Sequence, residues 1–344
     1  MILACLLSAA LVYLLVRWAP EIGLVDRPNA RSMHTRLTPR GGGIGFVATW
    51  LAGFSVWWYV LGGGNISRST FVVFLLATAV VATVSLWDDF RSIGAGVRMT
   101  FHLACAAAVV AVFGWFISVD IGTIIALSWT GILVTVFWIV GLTNVFNFMD
   151  GIDGIAGLQG AVAGTAWCVV GIHLGMPSVS VSGALLAGGC AGFLIHNWSP
   201  AKIFMGDVGS AFLGFCFSIV PLVALDELSV DKDRDVIARL PVFAALVVWP
   251  FLADGSFTFC RRLLKREPVW KAHRSHLYQR MVQAGLSHTS VASYYGLWAA
   301  VCSIAGVNFL CGGSAYRIWC ACTLFAVMTW TLTLKLERRK VARG

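Results

Sequence analysis

The stretch "NVFNFMDGIDGIAG", residues 144–157, sets two carboxamides and two carboxylates three residues apart: Asn144, Asn147, Asp150 and Asp153. Long apolar runs flank it on both sides. Polar groups this dense are costly beside a membrane, and where they occur they mark function. A set of oxygen donors suits a hard divalent cation such as Mg²⁺ far better than a soft metal. Three further acids share the setting. Asp88 and Asp89 end an apolar run in "SLWDDFRSIGAGVR", and Asp207 opens another in "SPAKIFMGDVGS". Arg91, Arg98, Lys202 and the basic "KAHRSHLYQR" at 271–280 lie in the neighbouring connections. Carboxylates converging with cations describe a site for a divalent metal and a phosphorylated ligand. His273 and His276 have metal-pair spacing but no further His or Cys nearby. Phosphate contact by His273, Arg274 and His276 fits that charge better.

These groups need elements that bring them together. A step of three residues on an α-helix rotates by ~300°, so each group in 144–157 falls back ~60° from the one before. Four such groups would wrap half a helix, which is untenable against lipid. Gly151, Gly154 and Gly157 resolve this by letting the helix end or bend. Its last turn and the following loop can then line one polar cavity, the setting in which irregular backbone is tolerated at membrane depth. The spacing alone leaves open which of the four donors takes the cation.

The rest of the chain supplies membrane helices. Of 344 residues 58% are hydrophobic and only 12% charged, and the mean hydropathy is +0.82. A soluble domain would carry about twice that charge. Apolar stretches long enough to span recur at about 2–19, 44–62, 69–87, 99–117, 121–142, 155–174, 178–195, 208–225, 241–259, 290–310 and 316–334. The predicted fold is an all-α integral membrane bundle of about 11 transmembrane helices forming a single domain. The first stretch has no Lys or Arg ahead of its apolar run and reads as a retained span, not a cleaved signal.

Charge sets the orientation. With the N-terminus periplasmic and the C-terminus cytoplasmic, most of the 25 Lys and Arg fall on the cytoplasmic side. They occupy loops at about 20–43, 88–98, 143–154, 196–207 and 260–289 and the basic tail 335–344. The periplasmic side keeps only Arg68, Lys232, Arg234, Arg239 and Arg317. All five acids of the site then sit at cytoplasmic helix ends. The net charge of +9 follows from this topology and calls for no nucleic-acid partner, while a basic cytoplasmic face favours anionic lipids and phosphorylated substrates.

Other features are secondary. The run "TPRGGGIGF" at 38–46 could cradle an anion at a helix N-terminus through its glycine amides and Arg40, or serve as a plain entry turn. The ten Cys are scattered through apolar segments as small hydrophobes, with no disulfide or zinc pattern. His102, His173 and His196 read as packing or capping residues; His34 and His288 are ambiguous. Asp254 reads as a structural partner of Arg261 and Arg262.

Five of these motifs together resemble the polyprenyl-phosphate N-acetylhexosamine-1-phosphate transferases of the WecA and MraY type. They are "GLVDRPNARSMHTRLTPRGGG" at 23–43, "WDDF" at 87–90, "NVFNFMDGIDGIAG", "FMGDVGSAFLG" at 204–214 and "HRSHLYQRM" at 273–281, in the family's order. The histidine segment looks more like the branch that initiates O-antigen and related surface glycans. Ser92 stands where the peptidoglycan branch has a Lys, which leaves Arg98 as the phosphate-binding cation of that loop. The resemblance implies transfer of a sugar 1-phosphate from a UDP-N-acetylhexosamine to undecaprenyl or another polyprenyl phosphate, with release of UMP. It implies that Asn147 and Asp207 ligate Mg²⁺, with Mn²⁺ as the alternative ion, and that Asp153 faces the nucleotide base. It further implies that Arg98 and Arg274 contact phosphates, that Asp88 is the candidate base, and that Asp89, Asp150, His273 and His276 are site positions. A multi-pass protein of the bacterial inner membrane, its active site cytoplasmic and its assembly a homodimer, is the corresponding expectation.

Two other readings compete. CDP-alcohol phosphotransferases also gather aspartates at helix ends, but their D-G element is followed by Ala-Arg, which "DGIDGIAGLQG" lacks. A transporter or flippase for a charged lipid precursor would place its charges at mid-membrane and show inverted repeats. The sequence has neither.

Overall fold

The computed structural model describes residues 1–26, 37–64, 66–228, 233–267 and 273–341. Arg27, Arg31, His34, Arg36, Lys232, Lys271 and Arg343, and with them the middle of the 23–43 motif, lie outside the described residues.

Helices dominate. In chain order they are α1 (Ile2–Trp18), α2 (Gly43–Leu61), α3 (Arg68–Arg91), α4 (Ala95–Phe113), α5 (Thr130–Met149), α6 (Ile155–His173), α7 (Pro177–Asn197) and α8 (Asp207–Glu227). There follow α9 (Arg234–Val247), α10 (Trp249–Leu264), α11 (Leu277–Gln283), α12 (His288–Leu310) and α13 (Ala315–Val341). Among the described residues nine helices are long and apolar enough to cross a membrane, and α9 with α10 makes a tenth span if the bent pair is counted as one. The expected eleven thus become nine or ten, because the first, α1, is only 17 residues long.

Two spans differ from the sequence reading for identifiable reasons. The fifth was expected at 121–142, but α5 begins at Thr130. The residues before it form an antiparallel hairpin of β3 (Ser118–Asp120) and β4 (Ile124–Ala126). Asp120 Oδ1 accepts the Gly122 N–H at 2.9 Å and makes the turn, and Arg239 of α9 holds its other oxygen at 3.1 Å. This hairpin is as apolar as a span although its second strand is exposed, so hydropathy could not separate the two. The span expected at 241–259 is broken by 75° between α9 and α10. Pro250 opens α10, where its missing N–H is harmless, yet a helix running straight through would lose a bond there.

The helices close around α8, which is buried along nearly its whole length and meets α2, α3, α4, α5, α7 and α9. Small residues set these approaches, as in membrane bundles generally. Gly43 of α2 and Gly209 of α8 meet backbone to backbone with no room for a side chain on either. Gly164 of α6 and Gly183 of α7 do the same one layer out. Aromatics fill the remainder: Trp50 stacks on Phe54 at 5.0 Å, meets Phe74 edge-on at 4.9 Å and donates to Ser182 Oγ at 3.2 Å. The cysteines are free. At the other extreme α13 continues as helix to Val341, and Glu337 takes a two-pronged bond from Arg280 of α11, 2.8 Å each.

Candidate active site

Three helix ends and one small hairpin converge at one end of the bundle. α5 runs to Met149, so Asn144 and Asn147 are on the helix; Asp150 caps it, and the chain turns through Gly154 at φ +79° into α6. Asn144 turns away and donates to the Val140 carbonyl at 2.7 Å. α3 delivers Asp88 and Asp89 at its last turn, and α8 begins at Asp207 after Gly206. Asp89 joins the last two. Its Oδ1 accepts the Asp207 N–H at 3.1 Å and its Oδ2 the Val208 N–H at 3.0 Å. A carboxylate on the exposed amides of a helix N-terminus is a cap with favourable dipole. Gly206 is required twice over: its φ is +77°, and a Cβ there would press on Asp89 Oδ2 at 2.7 Å.

The convergence encloses a cavity of about 220 Å³ lined by Asp89, Asn147, Asp150, Asp153 and Asp207, with Asp26, Arg40, Asn197, Gly206, Gln279 and His288 among the other lining residues. Beside it Arg98 Nη1 sits between Asp88 Oδ2 and Asp207 Oδ2, 2.7 Å from each. Asn147 donates to Ser210 Oγ at 3.1 Å. Burial, the larger effect, raises the pKa of the Asp207 carboxyl, and the Asn147 carboxamide acts to lower it. The carboxamide of α5 and the first carboxylate of α8 are therefore neighbours.

The sequence profile described as "Glycosyl transferase family 4" matches residues 71–225, the segment from α3 to α8 that carries all three acidic helix ends. Over that segment the chain is similar to glycosyl transferase family 4. The chain is 28% identical over 275 residues to a probable undecaprenyl-phosphate N-acetylglucosaminyl 1-phosphate transferase of Bacillus subtilis, covering 79% of this chain and 73% of the relative. It is 29% identical to the decaprenyl-phosphate N-acetylglucosaminephosphotransferase of Mycobacterium leprae, over 84% of this chain and 78% of the relative. A phospho-N-acetylmuramoyl-pentapeptide-transferase of Listeria welshimeri is 28% identical over 60% of this chain and 68% of its own.

Electrostatics in the cavity differ from residue to residue. Burial, followed by the charges of Asp207, Asp89 and Asp153, pushes the Asp150 carboxyl up to about 8. Burial also acts on Asp153, but the hydrogen bond and charge of His288, with the Ala201 N–H and Ser199, outweigh it and hold that carboxyl below its ordinary value. His288 Nδ1 lies 3.3 Å and the Ala201 N–H 3.2 Å from Asp153 Oδ2. So two acids of one motif have opposite character: one retains a proton, the other is a fixed charge.

The histidine segment flanks this cavity, and Gln279 is its lining residue. Asp254, fully buried on α10, organises it. Its oxygens accept the Leu277 N–H at 2.8 Å, the Tyr278 N–H at 3.0 Å and the Tyr295 hydroxyl at 2.7 Å, with His276 Nδ1 at 3.3 Å. The expected pairing of Asp254 with Arg261 and Arg262 is not formed. Arg261 donates to the Ser275 carbonyl at 2.7 Å, and Arg262 pairs with Glu267 at 3.0 Å. His273 stacks on His276 at 5.0 Å. Burial and then the positive surroundings of His276, Arg262 and Arg261 lower its pKa to about 4. It is a neutral hydrogen-bonding ring at neutral pH. Arg274 does not line the cavity.

In the glycine run two of the three amides are already bonded. The Gly42 N–H donates to the Phe204 carbonyl and that of Gly43 to the Met205 carbonyl, both at 2.9 Å. Their amides are spent in tying the small hairpin of β1 (Val25–Asp26) and β2 (Thr38–Pro39) to the start of α8. Cavity residues the sequence did not single out are Asp26, Asn197 and Gln279, and His288 stood there as ambiguous. Asn197 bridges two loops, accepting from the Gly154 N–H and donating to the Ile203 carbonyl, 2.9 Å each. A lone Asn at a helix end carries no spacing signal, so pattern could not find it.

As a cation site, the cavity offers mostly oxygen donors, Asn147 and Asp207 among them. Among the described residues no three His, Cys, Asp or Glu side chains group closely enough to hold a metal themselves. A Mg²⁺ held by one carboxamide and one carboxylate, completed by substrate phosphates and water, fits this arrangement and the habits of that ion.

Proposed function

We propose that this protein transfers an N-acetylhexosamine 1-phosphate from a UDP-sugar to undecaprenyl or another polyprenyl phosphate. An oxygen of the lipid phosphate bonds to the sugar-bearing phosphorus, the phosphoanhydride breaks, and its bridging oxygen leaves with UMP. The single observation that carries the reading is the cavity in which Asp89, Asn147, Asp150, Asp153 and Asp207 meet at the ends of α3, α5 and α8, with Arg40 and Arg98 beside them. The names of the Bacillus and Mycobacterium relatives support the two substrate classes. Initiation of O-antigen, lipopolysaccharide or a related surface glycan follows from the likeness of the histidine segment to that branch.

In this proposal Asn147 and Asp207 would hold Mg²⁺, which would supply charge neutralisation for the pyrophosphate. The protein's own groups do the rest. Asp89 holds the α8 N-terminus so that Asp207 and Asn147 stay adjacent. Arg98 is fixed between Asp88 and Asp207, leaving Asp88 as the acidic group on the acceptor side. Asp153, clamped by His288, is an ionised acceptor suited to a base N–H. Of the histidine segment Gln279 lines the cavity, whereas His273, Arg274 and His276 flank it without lining it. Positioning is the main device, since a lipid phosphate is already largely ionised at neutral pH.

The cationic bias of the loops supports a site at the cytoplasmic face of the bacterial inner membrane, where a soluble sugar nucleotide and a membrane-held phosphate can both arrive. The test is UMP release by purified protein in detergent with UDP-N-acetylhexosamine, polyprenyl phosphate and Mg²⁺. Release that needs all three is expected. Absence of release, while a Bacillus relative turns over alongside, would end the proposal.

A further inference from the structure

The cavity is rich in carboxylates and must nonetheless admit phosphates. Asp26, Asp89, Asp150, Asp153 and Asp207 line it, and Arg40 is the only Lys or Arg among the described residues that do so. Arg98, the cation to which the sequence pointed, is already engaged by two carboxylates and does not line the cavity. The amides of Gly42 and Gly43 are bonded to Phe204 and Met205 and offer an anion nothing.

Arg40 is differently placed. Its backbone is fixed, since its N–H donates to the Leu24 carbonyl at 3.0 Å and the Pro39 carbonyl before it accepts from Phe204 at 2.8 Å. Its Nε is buried and has no hydrogen-bond partner. The nearest carboxylate, Asp89 Oδ1, lies 3.8 Å from that Nε, too far for a hydrogen bond. Both Asp89 oxygens are occupied with the α8 amides. A buried guanidinium edge with no acceptor is costly unless a ligand supplies one. The planar fork of an arginine fits a phosphate two-pronged.

We propose that Arg40 is a substrate-binding residue that receives a phosphate group of the incoming substrate. This rests on the transferase reading above. The diphosphate of the sugar nucleotide and the monophosphate of the lipid share the required chemistry, and the experiment separates them.

R40Q and R40K are compared with the wild type in detergent. KM is measured for UDP-N-acetylglucosamine and for polyprenyl phosphate separately, with calorimetric binding of each substrate and thermal unfolding alongside. R40Q should raise one KM about tenfold or more at unchanged unfolding temperature. R40K, which keeps the charge and loses the fork, should fall between. A change confined to the UDP-sugar assigns Arg40 to the diphosphate, and one confined to the lipid assigns it to the acceptor. If R40Q leaves both KM values within about twofold of wild type, or only lowers kcat or the unfolding temperature as a support for Asp89 would, Arg40 is not a phosphate ligand. A wild type that binds both substrates but releases no UMP overturns the transferase reading, and the calorimetric comparison still decides Arg40. A wild type that binds neither overturns the Arg40 assignment as well.

Discussion

Tyr278 and Gly151 touch so closely that no side-chain carbon fits at position 151. The Tyr278 hydroxyl donates to the Phe148 carbonyl at 3.1 Å, one residue beyond Asn147. The histidine segment is thereby latched to the acidic loop by one hydroxyl and one absent methyl. Gly151→Ala should push the ring off the loop, with overpacking of roughly 1–3 kcal/mol, and lower turnover about tenfold or more. Removing the oxygen with Tyr278→Phe in the same chain should recover part of that loss. Turnover and unfolding temperature of the two single variants and the double variant form the cycle that checks it. No recovery in the double variant would mean the two residues act apart.

Asp89 and Asp207 should separate on mutation. Asp89→Ala removes the α8 cap and should cost about 1 kcal/mol of stability. Asp89→Asn, which keeps one acceptor, should retain measurable activity. Asp207→Asn alters the proposed cation ligand and should lower turnover on the order of 10²-fold with the fold intact. Equal loss in Asp89→Asn and Asp207→Asn, at equal stability, would give Asp89 a direct chemical part.

The raised Asp150 carboxyl fixes the sign of a pH effect. Between about pH 4 and about pH 8 the folded chain keeps a proton on Asp150 that the unfolded chain has released. Stability therefore falls as pH rises through that window. Asp150→Asn, neutral throughout, should flatten the slope and be the more stable protein at pH 8. Unfolding temperatures in detergent across pH 5–8 measure it, and parallel curves for the two proteins would rule the effect out.

Asp254 lies outside the cavity lining yet should be sensitive. Asp254→Ala leaves the Leu277 and Tyr278 N–H groups and the Tyr295 hydroxyl without an acceptor, each worth about 1–3 kcal/mol when buried. A lower unfolding temperature and reduced turnover are expected, with Asp254→Asn milder on both. Wild-type unfolding in Asp254→Ala would show that the segment holds itself.

Much of this was legible in the sequence. The acids Asp89, Asp150, Asp153 and Asp207, and Asn147, were readable because charge at the end of an apolar run is rare and needs a reason. The helix stop before Gly154 was readable from glycine spacing. What escaped has a physical pattern. The β3–β4 hairpin is apolar enough to pass for a span, and the α9–α10 break is a matter of one peptide in a continuous hydrophobic run. Asn197 and Gln279 act through backbone carbonyls, amides and shape, which leave no periodic trace. Asp254 was noticed, but its partners are amides 23 and 24 residues away, not the arginines next along the helix.

The sheathing of α8 has a mechanical consequence. A helix surrounded by other helices takes its tilt from them and not from the acyl chains, so bilayer thickness should strain the outward-facing α4 and α13 first. Asp207 rides on the inner shaft and Asp89 pins it at one end. The spacing of the acidic groups is thus referenced to protein, and the membrane can breathe around it without resetting it.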